Sequence, residues 1–406
     1  MSNTLKLGNG KWATGKDTLL SFSDTNNNYK PLAFSFSRAS SGTVVNKAGL
    51  IETVGSGEPR IDFKDNTKGA LLLEPQRANS LVQSNQFDTT WDIGASALDL
   101  TSGQSGVYGS NDAWLLKKNS TGARYIQQSL SLSSAQYSYS VYLKAESTNW
   151  AFLWSYDGSA SVNAYFDLEN GVVGQTGGAA LDGTNIESVG NGWYRCTITY
   201  TQATSIVRIY PADASGSISP TDDNGIYIQH AQLEQGSYAT SYIPTSGSAV
   251  TRVADSSSQT LPSSVFNSYP FSVFAEVDVV DTSSGYAFSL LNKASSNNYF
   301  TIEYYSNKWH IVARPSGSTI TRSSLEILTK GTHKLVGVYT DTNLKLYLNG
   351  SLIASGSNTQ SFNSNVDSLL LGQLRISGDT NSRNTIRQTY LYNNELTDAE
   401  AIALTS

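Results

Sequence analysis

Apolar and polar residues alternate in short runs along most of the chain, and clusters of Gly, Asn, Asp and Ser separate these runs. Alternation with a period of two is typical of half-buried β-strands, and such clusters are typical of tight turns. Phe271–Val279 is the clearest run, because its odd-numbered residues are all apolar. The pair Asn349-Gly350 predicts a two-residue hairpin turn. A short helix is predicted at the C-terminus, where Thr397 and Glu400 have the spacing of a capping box.

The predicted strands fall into three regions of the chain. Residues 1–80 carry short alternating pieces, and residues 81–245 carry eight strand signals separated by turn residues. Residues 246–268 are rich in Ser and Thr and are predicted to be a linker, and residues 269–406 carry a further series of strands. Eight strands with turns between them suit a jelly roll of two packed sheets. The patterns therefore predict an all-β protein: two tandem jelly-roll β-sandwiches preceded by a smaller β-rich N-terminal region.

Composition and charge exclude several classes of function. Charged residues make up only 15% of the 406 residues, and the net charge is −6. No run of Lys and Arg could follow a phosphate backbone, so nucleic-acid binding is not expected. No apolar run approaches the roughly 18 residues of a membrane-spanning helix, and the N-terminus lacks the apolar core of a signal peptide. We therefore expect a protein made in a cytoplasm, with no membrane insertion.

Several ordered strings of residues resemble proteins of tailed-phage particles. The strings Phe36–Ser40 (FSRAS), Gly49–Glu52 (GLIE), Pro59–Phe63 (PRIDF) and Leu71–Asn79 (LLLEPQRAN) occur in that order. Together they resemble the N-terminal module of phage tail-fibre or head-fibre proteins. The segment Gly225–Asp255, which contains QLEQG, ATSYIPT and TRVAD, resembles the exit of a jelly-roll module that is common in tailed-phage virion proteins.

Other residues resemble carbohydrate-binding folds. The Asn-x-Phe start and the Trp of Asn85–Trp91, with the later string Gly192–Arg195 (GWYR), resemble carbohydrate-binding-type jelly rolls. The hairpin Lys345–Gly350 (KLYLNG), the strand Tyr390–Tyr392 and the string Leu396–Glu400 (LTDAE) resemble the end of concanavalin-A-like, laminin-G-like domains. This last resemblance covers residues 269–406 almost from end to end.

These resemblances imply a structural protein of the virion surface, of the head-fibre, capsid-decoration or tail-fibre type, which is made in the host cytoplasm. The N-terminal region would attach to other virion proteins. The two folds imply host or environmental glycans as ligands, bound by weak contacts that many copies multiply. A homo-oligomer is expected, and analogy implies a trimer. Two alternatives remain open: a purely structural capsid or tail subunit with no glycan ligand, and a depolymerase-type glycan hydrolase.

Aromatic side chains are the main signal for a site, since sugar rings stack on Trp and Tyr. Trp150, Trp154 and Tyr156 fall on one face of a predicted strand, and Tyr305 and Trp309 lie close to a predicted turn. These five residues are the candidate glycan-binding residues. The alternative is that they belong to the cores of the sandwiches, where aromatic residues of strands commonly lie.

The sequence gives little support for catalysis or for a metal. Glycosidases use two carboxylates across a cleft, and the nearest string, Glu276–Asp278, lacks the third acidic residue of a Glu-x-Asp-x-x-Glu strand. The three His residues are isolated from one another in sequence, so neither an enzyme nor a cofactor is expected. Asp222 and Asp223, just before Gly225, are weak candidates for Ca²⁺ ligands, although an Asx-turn is the favoured interpretation of this cluster.

Overall fold

The chain forms two compact units in this computed structural model. The structure describes residues 4–8, 20–23, 29–32, 35–64, 66–93, 98–218, 223–261, 270–292, 295–358, 362, 366–374 and 384–406. Unit 1 comprises Met1–Gln76 together with Val253–Ser406, and unit 2 comprises Arg77–Arg252. The N-terminal segment therefore belongs to the same unit as the C-terminal segment, whereas the sequence patterns set residues 1–80 apart as a region of their own.

Nearly all regular structure is β-strand, as predicted. The N-terminal strands are β1 (Thr4–Gly8), β2 (Leu20–Ser23), β3 (Tyr29–Leu32), β4 (Ser35–Ser37), β5 (Gly42–Val45), β6 (Ile51–Val54), β7 (Ile61–Asp62) and β8 (Ala70–Leu73). The strands of unit 2 are β9 (Arg77–Asn79), β10 (Leu98–Gln104), β11 (Ala113–Lys118), β12 (Ile126–Ala145), β13 (Trp150–Tyr156), β14 (Ser161–Asp167), β15 (Val172–Gly177), β16 (Leu181–Gly190), β17 (Trp193–Ala212), β18 (Gly225–Gln235) and β19 (Val250–Arg252).

The C-terminal segment continues the pattern and ends in a helix. Its elements are β20 (Ser256–Thr260), β21 (Phe271–Val279), β22 (Ser284–Asn292), β23 (Ser295–Tyr305), β24 (Lys308–Arg314), β25 (Ile320–Ser323), β26 (Gly331–Tyr339), β27 (Asn343–Leu348), β28 (Ser351–Ser357), β29 (Ser368–Leu371), β30 (Asn384–Tyr392) and α1 (Asp398–Thr405). Two short 3₁₀ helices lie at Val107–Gly109 and Pro315–Gly317. The predicted all-β class is confirmed.

Unit 1 is built from two large antiparallel sheets. The first sheet has the strand order β28-β27-β26-β21-β30-β1-β2-β3, and β8, with β7 beside it, also pairs with β30. The second sheet has the order β25-β24-β23-β22-β29-β20-β4. Because β1 and β8 pair with β30, and β4 pairs with β20, these N-terminal strands complete sheets whose other strands lie largely in the C-terminal segment. The strands β5 and β6 pair with each other in a separate two-stranded sheet.

The local predictions for the C-terminal segment are confirmed. The odd-numbered residues of Phe271–Val279 all lie in the core of unit 1. Asn349 and Gly350 have φ values of 45° and 85°, as a type I′ hairpin turn requires, and they join β27 to β28. The capping box of Thr397 and Glu400 is present at the start of α1. Within the described ranges, no helix has the length and apolarity needed to cross a membrane.

Unit 2 is organised by two strands of 20 residues each, β12 and β17, which pair along most of their length. The register is irregular between Ser129 and Ala135, in the middle of this ribbon. One half of the ribbon continues through β13, β14 and β15, and the other half continues through β18, β11 and β10, with β16 on its far edge. Side chains of both halves share one core, which includes Leu153 and Val207 from the first half and Cys196 from the second. The result is a two-layer sandwich, as the eight strand signals predicted.

The segment after β18 is fixed by buried hydrogen bonds. The fully buried carboxylate of Glu234 accepts hydrogen bonds from the backbone N–H (2.9 Å) and the hydroxyl (2.7 Å) of Thr240. The carbonyl oxygen of the Gln232 side chain accepts from the N–H of Ile243 at 2.6 Å, and Arg195 donates to the carbonyl oxygen of Thr240 at 2.7 Å. The Gln-Leu-Glu and Gly-Trp-Tyr-Arg strings therefore have a structural role, because they fix the segment that follows β18 against β17 and β18.

A buried ion cluster ties the N-terminal segment of unit 1 to its C-terminal segment. Arg60 lies between Glu74, at 2.7 Å, and Asp255, and Arg38 pairs with the same Asp255 at 2.9 Å. Asp255 Oδ2 also accepts a hydrogen bond from the backbone N–H of Glu74 at 2.9 Å. Burial by itself would lower the pKa of Arg60, but the charges of Asp255 and Glu74 outweigh it and raise the pKa. This guanidinium is therefore held charged in the interior.

Replacing Asp255 by Asn is expected to lower the free energy of unfolding of unit 1 by about 3–5 kcal/mol, because it leaves two buried guanidinium groups with a single carboxylate. Urea unfolding of the full chain measures this effect. Lys345→Met is the control, since it breaks the largely exposed Lys345–Asp398 pair (2.7 Å) and should cost less than about 1 kcal/mol. Equal shifts of the two unfolding midpoints would contradict the importance of the cluster.

Candidate functional site

The side chains of β13 separate into an inner set and an outer set. Ala151, Leu153 and Ser155 point inward and are completely buried. Trp150, Phe152, Trp154 and Tyr156 point to the opposite face, because side chains alternate along a strand. The sequence predicted that Trp150, Trp154 and Tyr156 share a face, and the structure places them on the outer face of this sheet.

Strand register extends this outer face into rows across the sheet. Trp154 lies opposite Arg208 of β17 and Asn163 of β14, and Arg208 lies opposite Gln127 of β12. In the next row, Phe152 lies opposite Tyr210 and Tyr165. We call the outward residues of these strands the aromatic face. They are Tyr125, Gln127, Trp150, Phe152, Trp154, Tyr156, Asn163, Tyr165, Arg208 and Tyr210.

The aromatic face has a buried floor. The rings of Phe152 and Tyr165 have centroids 4.3 Å apart, and those of Phe152 and Tyr210 are 5.1 Å apart. All three residues are less than 10% exposed, although they are on the side of the sheet away from the core. They are covered by half-buried aromatic residues, which include Trp150 and Trp154. The floor therefore supports an upper layer of rings that solvent reaches in part.

Two rings of the upper layer stack on each other. The rings of Trp154 and Tyr156 are 5.3 Å apart with an angle of 15° between their planes. The Tyr156 hydroxyl donates a hydrogen bond to the carbonyl oxygen of Gly158 at 2.7 Å, which fixes the orientation of this ring. Trp150 is held differently: its ring lies so close to Gly174 that a Cβ atom there would come within 2.6 Å of it.

Arg208 lies among the rings of the upper layer. Its Cζ atom is 4.0 Å from the centroid of Tyr125 and 4.3 Å from that of Trp154. Its Nε donates to Gln127 Oε1 at 2.8 Å, and its Nη1 donates to the Tyr210 hydroxyl at 3.1 Å. The Gln127 amide in turn donates to Asp92 at 3.0 Å. The guanidinium is therefore held in one orientation by two rings and two neutral acceptors.

This arrangement has the chemistry of a binding surface. Trp and Tyr rings offer large rigid areas with polar edges. Arg208, Gln127 and Asn163 supply hydrogen-bonding groups in the same row as Trp154. The sequence analysis did not identify Arg208 or the residues of its row. The alternating pattern of β17 around Arg208 indicates a strand, but it does not show which strands lie beside it, because that depends on tertiary pairing. An Arg at an outward position of this strand was the one signal that the sequence offered.

The two other candidate residues lie in unit 1, and the structure separates their roles. Trp309 is 1% exposed and packs in the core against Tyr304, with ring centroids 5.1 Å apart. A ring enclosed in this way has no surface for a sugar, so Trp309 is a core residue rather than a ligand contact. Tyr305 is 41% exposed, and its ring stacks on His310 at 3.7 Å. It is an accessible aromatic ring with a polar neighbour, outside the aromatic face.

The weak Ca²⁺ candidates are only partly described. Asp222 lies outside the described residues. Asp223 is exposed and pairs with Lys117 at 2.8 Å, so its carboxylate already has a cationic partner. In the part of the chain that the structure describes, no group of three or more His, Cys, Asp or Glu residues is arranged to hold a metal ion.

The carboxylates considered for catalysis are occupied by neighbours in the sheet. Asp278 pairs with Arg387 at 2.9 Å, and Glu276 accepts a hydrogen bond from Gln388. Glu303 is different, because burial raises its pKa to about 7. Its register partners on β22 and β24 are Tyr286 and His310 rather than a second carboxylate.

Comparison with known proteins finds lectin-like relatives of one segment. Residues 253–402 match the family model of the concanavalin A-like lectin/glucanases superfamily, which covers less than half of the chain. No curated protein matches the sequence. The matched segment lies in unit 1, where it supplies most strands of the two sheets.

Solved structures with similar folds include a carbohydrate-binding module and the binding domains of toxins. The CBM40 of the Ruminococcus gnavus IT-sialidase, bound to α2,3-sialyllactose, is 17% identical, with 34% of this chain and 83% of that chain covered and a TM-score of 0.30. The receptor binding domain of botulinum neurotoxin D is 14% identical, with 37% and 40% covered and a TM-score of 0.31. The binding domain of Paraclostridial Mosquitocidal Protein 1 is 15% identical, with the same coverage and TM-score. Likenesses this distant carry no argument about ligands.

Replacing Trp309 by Ala is expected to lower the free energy of unfolding by about 3–5 kcal/mol, as for other large core aromatics. Tyr305→Ala, in the neighbouring strand of the same hairpin, should cost no more than about 1.5 kcal/mol, since it loses mainly the ring contact with His310. Urea unfolding of both variants measures the difference. A Trp309→Ala chain with wild-type stability would show that the ring is not packed as described.

Proposed function

We propose that this chain is a structural protein of a tailed-phage virion, displayed on the particle surface, and that it binds glycans through the aromatic face of unit 2. It is made in the host cytoplasm and attaches to other virion proteins through its N-terminal segment. It acts by adhesion rather than catalysis and uses no cofactor. Weak contacts at each site add up over many copies, because linked sites raise the effective concentration.

The aromatic face is the observation that carries this proposal. The rings of Trp154 and Tyr156 are nearly parallel and stack on each other at the sheet surface, with Arg208 and Gln127 beside them. A sugar offers the complementary surface: C–H groups on its ring faces and hydroxyls around its edge. The buried floor below keeps the upper rings in place, so little conformational freedom is lost on binding.

Two further observations support the proposal. The lectin-like family match of residues 253–402 fits a chain with more than one recognition fold. The virion role rests on the ordered strings of the N-terminal segment and of Gly225–Asp255, which resemble phage fibre proteins. Two of these strings, PRIDF and TRVAD, contact each other in the structure, because Arg60 of the first forms an ion pair with Asp255 of the second.

A second function fits one specific observation. Surfaces rich in Trp, Tyr and Arg are also typical of protein interfaces. The aromatic face could therefore contact a neighbouring subunit of a capsid or tail, as a purely structural protein would require. The two functions differ in whether isolated full-length protein binds glycans.

Trp154→Ala and Tyr156→Ala are each expected to weaken glycan binding about 2- to 10-fold per site, because an aromatic contact is worth about 0.5–1.5 kcal/mol. A glycan array with the full chain identifies the ligand, and titration of that glycan measures the loss. Both rings are partly buried, so the unfolding midpoint of each variant is measured alongside to show that it is folded.

Tyr305→Ala is the matched variant in unit 1, with an exposed ring of the same type. It should bind like the wild type. Loss of binding in this variant but not in Trp154→Ala would move the site to unit 1. A well-folded chain that binds no glycan on the array would favour the structural function instead.

The mass of the purified chain in solution is expected to be three times its 43.7 kDa, because the proposed fibre or decoration protein is a homotrimer. Light scattering at several concentrations measures this mass. A mass of one chain at all concentrations would remove multivalency from the proposed mechanism.

A further inference from the structure

Arg208 has an unusual set of partners for a half-buried cation. Within the described residues, no Asp or Glu forms an ion pair with it, and its hydrogen bonds go to the neutral oxygens of Gln127 and Tyr210. The nearest carboxylate in this chain of contacts is Asp92, which binds the amide group of Gln127 and not the guanidinium. Its positive charge is therefore left without a carboxylate partner on the aromatic face.

Its neighbours fix the guanidinium without neutralising it. Tyr125 and Trp154 lie within 4.0 Å and 4.3 Å of Cζ, so the ring contacts position the group. Nε and Nη1 are engaged, and in the described part of the chain no hydrogen bond from Nη2 is formed. A guanidinium binds a carboxylate through two parallel N–H···O bonds, and this geometry requires an oriented planar group. Arg208 has this orientation before any ligand arrives.

We propose that the aromatic face binds an acidic glycan, in which a sugar carboxylate pairs with Arg208 while the sugar ring contacts the part of Trp154 that solvent reaches. This inference rests on the proposed function and specifies the class of its ligand. The row order supports it, because Arg208 and Trp154 are directly opposite each other in register. One sugar unit that carries a carboxylate can therefore contact both residues.

The net charge of the whole chain is opposite in sign to the charge of Arg208. The net charge of −6 disfavours unspecific attraction of polyanions. Binding of an acidic polysaccharide would then depend on Arg208 itself and would weaken with salt, as for an accessible ion pair.

The test compares one polymer in two charge states, with the full chain as the protein. Polygalacturonate and its fully methyl-esterified form differ in the carboxylate alone. The wild type is expected to bind the acidic form about 10-fold more tightly or better, since hydrogen bonds to charged groups are the stronger ones. Arg208→Gln should remove this preference, and Arg208→Lys should keep only part of it, because an ammonium lacks the planar fork.

Lys47→Gln is the charge-matched control, since Lys47 is an exposed residue of unit 1. It should retain the full preference for the acidic form. The unfolding midpoint of Arg208→Gln shows whether this variant is folded. If it is not, the preference of Arg208→Lys for the acidic polymer tests the role of the guanidinium.

The outcomes separate the inference from the proposed function. Equal, Trp154-dependent binding of both polymers would overturn the acidic specificity and leave glycan binding intact. Binding of a neutral glycan on the array without any binding of polygalacturonate would also overturn it. Failure to bind either polymer or any glycan on the array would contradict the proposed function as well.

Discussion

The pairing register of β13, β17 and β12 is the constraint on which the site depends. Side chains alternate between the two faces of a strand, so a slip by one residue would exchange the core set for the outer set. In the observed register Leu153 and Val207 lie in the core, while Trp154 and Arg208 meet on the outside. The apolar core on one side therefore fixes the position of the aromatic and polar groups on the other.

Unit 1 depends on a different long-range interaction. Arg60 is enclosed by Glu74 and Asp255, which are 14 and 195 residues away in sequence. A buried guanidinium lowers the stability of the folded state unless carboxylates compensate its charge. The folded state of unit 1 therefore requires that the segments carrying Glu74 and Asp255 lie next to Arg60. The pairing of β1 and β8 with β30 joins the same two parts of the chain. N-terminal and C-terminal residues thus form one folded unit.

Local patterns predicted the strands, the Asn349-Gly350 hairpin and the shared face of Trp150, Trp154 and Tyr156, because alternation and turn chemistry act over few residues. Partners far apart in sequence were beyond such patterns. The N-terminal strands were therefore treated as a region of their own, and Arg208 was not recognised as a neighbour of Trp154. Trp309 shows a further limit. Its strand, KWHIVAR, carries apolar residues on both faces, so alternation does not tell the buried face from the open one.

In the proposed function, the aromatic face is the ligand surface of the chain. Hydroxyl-radical footprinting of the full chain, with and without a saturating amount of the bound glycan, tests it directly. We expect Trp150, Trp154 and Tyr156 to be oxidised in the free protein and protected by the glycan, while Tyr305 is oxidised equally in both states. Protection of Tyr305 alone, or no protection of β13 at saturation, would show that the glycan does not bind at the aromatic face.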